Sequence, residues 1–188
     1  MSLASTAPQP TDILRYYRRS LAALDALKKV VGPSLGVGTM GPTSPFFGMT
    51  AREFDVALAE LRQELDHQVV LMLTASFEAA FQTDLQDRIK LRKRDHASKA
   101  LRNWWKSARR RREKWIDLGS LLDAWKNTTG QRQVIGKMKS LLLFRHWLAH
   151  GRYWTDKSGL GDVDPFDAWR IGRDVFAVLP GFRPLPAR

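Results

Sequence analysis

Cysteine is absent from all 188 residues, which excludes disulfide scaffolds, thiolate metal sites and cysteine nucleophiles. Long apolar runs are missing too. None exceeds five residues, as at 69–73, whereas a membrane-spanning helix needs about 18. The first eleven residues show no basic stretch followed by an apolar one, so neither a signal peptide nor a membrane location is expected, and a cytoplasmic protein is. Nowhere do polar and apolar residues alternate as a half-buried strand requires, and no internal repeat occurs. Acidic residues are scarce as well: 19 Asp and Glu face 31 Lys and Arg, for a net charge of +12. What is present is ordinary for one folded domain. Hydrophobic residues make up 44% and the 7 Trp, 3 Tyr and 9 Phe give 19 aromatics, enough apolar surface for a core and against disorder.

The excess charge is concentrated. Thirteen of the 31 Lys and Arg lie between Arg88 and Lys114, against only Asp95 and Glu113. Such a density raises the local potential and attracts polyanions, nucleic acid foremost. A solvated helix face is the plainer reading of a charge run, but four consecutive arginines at 109–112 repel one another with almost no acidic relief. Arg102, Lys106, Arg109, Arg110 and Arg112, with Arg152 further on, are the candidate phosphate contacts.

Apolar spacing predicts helices throughout. A first helix at 11–31 carries Ile13, Tyr17, Leu21, Leu24 and Leu27 on one face, and Gly32 and Pro33 end it. Five glycines and three prolines at 32–50 predict a long loop, apolar enough at Phe46, Phe47 and Met49 to lie against the body. Thr50 and Glu53 have the spacing of a capping box, opening a long second helix that runs to about Ile89. A third helix is expected at 99–126 and a turn at 127–130. A fourth, with Thr128 and Gln131 as its cap, then runs from 133 to 150. Asp164 and Pro165 suit the N-cap and first position of a last helix. The fold class is all-α, a helical bundle of about five helices. Residues 1–49 form a helix and Gly/Pro-rich loop packed on a domain at 50–180, and 181–188 are a tail.

Only four histidines exist, and two of them, His146 and His150, fall in one stretch with Arg145 and Arg152. Histidine titrates near neutral pH, so this pair is the acid–base candidate. On an ideal helix His146 and His150 are about 40° apart and share a face, while Arg145, about 140° from His150, flanks it. Two other readings use the same residues: His150 closing a helix C-terminus favoured by the dipole, and a shared metal ion. For the ion no acidic residue or third histidine is nearby in sequence, so no metal and no cofactor is expected.

Arg145-x4-His150, with a polar residue after the arginine and a small one before the histidine, resembles the signature of HEPN domains. The apolar stretch 69–81 with its embedded Ser76-x-Glu78 resembles a helix of several HEPN subfamilies, and the likeness covers about 50–178. It implies a HEPN-like bundle whose catalytic members are metal-independent endoribonucleases, often toxins or effectors of bacterial antiviral defence, acting as homodimers. Arg145, His150 and His146 are then the catalytic set, with Ser76 and Glu78 in support. An antitoxin or other regulatory protein is an implied partner. Two motifs facing across a two-fold axis would supply the two imidazoles that acid and base catalysis require. Trp147, Tyr153 and Trp154 are candidates to stack on an unpaired base. Two other function classes suit the same residues: a non-catalytic domain binding nucleic acid or nucleotide, and a module docking on an acidic protein.

Overall fold

A forty-residue helix organises the molecule. The computed structural model describes residues 8–35, 41–110, 117–151 and 155–185, and among them forms six α-helices, a single 3₁₀ turn at Gly32–Ser34 and no strand. These are α1 (Pro10–Val31), α2 (Ala51–Lys90), α3 (His96–Arg110), α4 (Leu118–Thr129), α5 (Arg132–Ala149) and α6 (Pro165–Val178). The all-α bundle expected from the sequence is what forms.

At about 1.5 Å per residue, α2 is about 60 Å long. Its start is the capping box: the Thr50 hydroxyl accepts from Glu53 N–H at 3.2 Å, and the Glu53 carboxylate accepts from Thr50 N–H at 2.8 Å. That bond, with a second from the Thr50 hydroxyl, holds the Glu53 acid below the usual range. The contacts along α2 give the direction of its neighbours. Pro8 meets Ser76, Tyr17 meets Asp66 and Lys28 meets Asp55, so α1 runs antiparallel to α2. Phe166 packs on Tyr17 at the level of Asp66, Phe176 packs on Phe77 and Phe81, and the Pro180 carbonyl reaches Arg88, so α6 runs parallel to it. Gly172 is what allows that approach, since a Cβ there would sit 2.3 Å from the Phe77 ring.

The core fills the space between α2 and the later helices. Val69, Val70, Leu73, Phe77 and Phe81 of α2 meet Leu121, Leu122 and Trp125 of α4, Ile135, Met138 and Leu141 of α5, and Val175 and Phe176 of α6, all buried. Below this core, the first half of α2 and the second half of α1 pair with each other. There Leu21, Leu24 and Leu27 are only half-buried. Of the loop at 32–50, Phe46 packs edge-on against the buried Phe54 at 5.0 Å while Phe47 stays exposed.

Two sequence expectations need correction. The helix expected at 99–126 is two helices, α3 and α4. Asp117 caps the second, its carboxylate accepting from Ser120 N–H at 2.9 Å, and with Ser120's hydroxyl bond this keeps the Asp117 acid below its ordinary range. Nor do Thr128 and Gln131 cap α5. Thr128 bonds back to the Ala124 carbonyl inside α4, and Gln131 occupies the N-cap with no side-chain hydrogen bond. Gly130, at φ 71°, makes the turn in the left-handed region that glycine adopts without steric cost. Asp164 caps α6 as expected, accepting from Asp167 N–H at 2.7 Å.

Candidate functional site

α5 delivers the histidine motif to the surface by its own periodicity. Phe144 and Leu148 are buried and anchor its last turns, while Leu143, His146 and His150 take the intervening positions and are exposed. Positions three and four apart share a helix face, so these three form one row. The imidazole rings of His146 and His150 lie 4.2 Å apart between centroids, tilted 60°. His150 is the C-cap, its N–H donating to the His146 carbonyl at 3.1 Å, and Gly151 follows at φ 78°. Arg145 is half-buried, precedes His146 in the chain about 140° round the helix from His150, and forms no ion pair among the described residues.

Chemically, this is a solvent-open helix end with two imidazoles on one face and an arginine within the same last turns. Among the described residues no group of three or more His, Asp or Glu side chains is placed to hold a metal ion. The helix dipole, negative at its C-terminus, favours a cation at this end.

Ser76 does not join the motif. Two residues apart on a helix means about 200° apart, so the side chains of Ser76 and Glu78 leave α2 on opposite sides. Ser76 is buried and donates to the Pro8 carbonyl at 3.0 Å. It lines a cavity of about 760 Å³ between the amino-terminal segment, α2 and the tail, which includes Asp84, Asp87 and Arg183 but none of Arg145, His146 and His150. Glu78 is half-buried, with no hydrogen bond or ion pair to either motif residue among the described residues.

The basic segment divides into structural and surface cations. Arg88, counted in the sequence with the phosphate-binding run, is 1% exposed. Its guanidinium bonds Asp84 at 2.6 Å, Ser98 at 2.7 Å, Asp95 at 3.3 Å and the Pro180 carbonyl, and lies 4.9 Å above the Trp125 ring. Burial pushes the Asp84 carboxyl up, against the pull of Arg88, whereas the Ser98 hydroxyl holds that of Asp95 down. Arg102 is half-buried and donates to the carbonyls of Arg88 and Lys93, closing the end of α2. Its inward guanidinium therefore caps a helix. Lys106, Arg109 and Arg110 are exposed. Arg111, Arg112, Trp115, Arg152, Tyr153 and Trp154 lie outside the described residues.

A pairing that the sequence reading missed involves Trp105. It is half-buried, and the Arg109 guanidinium stands 5.2 Å over its ring. The spacing of four residues was the available signal.

α3 starts at the Arg88 end of the bundle through Ser98, and α5 starts there too, after α4 has brought Trp125 to Arg88. α3 packs on α2 and α4 and remains on the core as far as the buried Ala108. No helix among the described residues is long and apolar enough to cross a membrane. Comparison with protein-family models, with curated proteins and with solved structures finds no match for the chain.

Proposed function

We propose that the chain is a HEPN-like, metal-independent endoribonuclease acting as a homodimer. The observation that carries this reading is the exposed pair His146–His150, 4.2 Å apart, with Arg145 in the same last turns of α5. In the reaction the 2′-oxygen of a ribose attacks the adjacent phosphorus in line, and the bond from phosphorus to the 5′-oxygen breaks. One imidazole takes the 2′-OH proton, and another, protonated, gives its proton to the leaving 5′-oxygen. Arg145 cannot lose its proton at working pH and offers parallel donors to the phosphate oxygens, so it stabilises the charge growing on them. His150 is the acid or base. His146 orients substrate or shares the proton transfer. The products are a 2′,3′-cyclic phosphate and a 5′-hydroxyl.

The dimer is part of the reading. Leu143, 52% exposed, stands in line with both imidazoles and gives a second copy an apolar contact beside the motif. A two-fold axis there brings both Arg145–His150 pairs into one cleft, where one copy supplies the base and the other the acid. The role of toxin or defence effector, held in check by an antitoxin or regulatory protein in the cytoplasm, rests on the family resemblance. The exposed cations of α3 also support a second reading, a domain that binds RNA without cutting it. Sedimentation at the concentrations used for RNA cleavage tests the composite site. Specific activity is expected to rise with the dimer fraction. A monomer that cleaves as well as the dimer would contradict it.

A further inference from the structure

We propose that the exposed face of α3 is a docking surface for single-stranded RNA, on which Trp105 and Arg109 stack an unpaired base. It takes RNA as the ligand from the function proposed above and names the form of RNA that is bound. Three observations carry it. First, α3 contains Lys99, Arg102, Lys106, Arg109 and Arg110 and no acidic residue at all. Lys99, Lys106 and Arg110 are exposed at steps of seven and four, one row on the solvent side along which a phosphate backbone runs.

Second, the apolar side of α3 is already used. Ala97, Leu101 and Ala108 are buried in the bundle, so the helix has no free apolar face to sink into lipid, as a surface-bound amphipathic helix must. A polyanion in water is the partner that this cationic face fits. Third, Arg109 is exposed while its guanidinium covers the half-buried Trp105 ring at 5.2 Å. The indole holds the guanidinium, and the outer side of the pair faces solvent. A flat cationic surface of this kind stacks on a base whose face is free. In a duplex the base faces are covered by their neighbours, so only a single strand or a loop uses the platform.

The test is the affinity of the full-length His150→Ala chain, which binds RNA without cutting it, for a short labelled oligoribonucleotide alone and annealed to its complement, by fluorescence anisotropy. The single strand is expected to bind more tightly. Trp105→Leu and Arg109→Gln should each weaken single-strand binding about tenfold and narrow the gap to duplex. Lys106→Gln should weaken both forms alike and reduce the salt slope for the single strand by about 0.7. Because Arg109 is exposed, Arg109→Gln keeps the test decisive even if Trp105→Leu does not fold. Equal affinity for strand and duplex, or an Arg109→Gln protein that keeps the full preference, would overturn the proposal. The cleavage reading stands apart from this result. A parent chain that stacks single strands yet never cuts them loses the enzyme and keeps the platform, whereas one that cuts but shows no preference does the reverse.

Discussion

Cleavage of RNA by the His150→Ala protein is expected to fall by about 10²–10⁴-fold, the usual contribution of a positioned acid or base. The variant should be as stable as the parent to within about 0.5 kcal/mol, because the side chain is exposed and alanine can keep the backbone bond to the His146 carbonyl. Loss of activity is then chemical and not a failure to fold, which a matched thermal melt will establish. Arg145→Lys should also be impaired, since lysine keeps the charge but not the parallel donors. His146→Ala should lose less than His150→Ala if it orients substrate, and about as much if it transfers a proton. Unchanged cleavage by His150→Ala would remove the catalytic role from the motif.

Arg88→Ala is expected to cost about 3–5 kcal/mol of stability, measured by denaturant unfolding. The reason is what the guanidinium leaves behind. Asp84, with its side chain 9% exposed, would lose its buried counter-charge, and burial already pushes that carboxyl up. Ser98 and the Pro180 carbonyl would each lose a donor, and the Trp125 ring its cation. Pairing Arg88→Met with Asp84→Leu should recover part of the loss, since no unpaired charge then remains inside. A cost below about 1 kcal/mol for Arg88→Ala would show that this cluster does not hold α2, α3, α4 and the tail together.

Arg88 also marks the limit of sequence reading. In the chain it is one more cation in a basic run, and nothing in its own position tells a buried arginine from an exposed one. Its partners come from 4, 7, 10 and 92 residues away, and only the nearest, Asp84, lies in the same helix. Arg102 was misread for the same reason, since backbone carbonyls carry no signature in sequence. Two local signals were read correctly. Thr50 with Glu53, and Asp164 before Pro165, cap helices by bonds that span three residues. The exposed row of His146 and His150 follows from helical spacing alone.

The division between α3 and α4 had a local signal too, Asp117 with Ser120, which the single helix expected at 99–126 passed over. Placing Ser76 beside the motif failed on geometry. A helix face is set by 100° per residue, so Ser76 and Glu78 could not both point to one site, and the partner of Ser76 came from the far amino-terminal segment.

The most direct measurement is the chemistry of the cut ends. Wild-type protein incubated with RNA in EDTA is predicted to leave 2′,3′-cyclic phosphates and 5′-hydroxyls, because attack by the substrate's own 2′-oxygen needs an acid, a base and a cation but no metal-bound water. Cleavage that stops on chelation, or that yields a 5′-phosphate, would contradict the account.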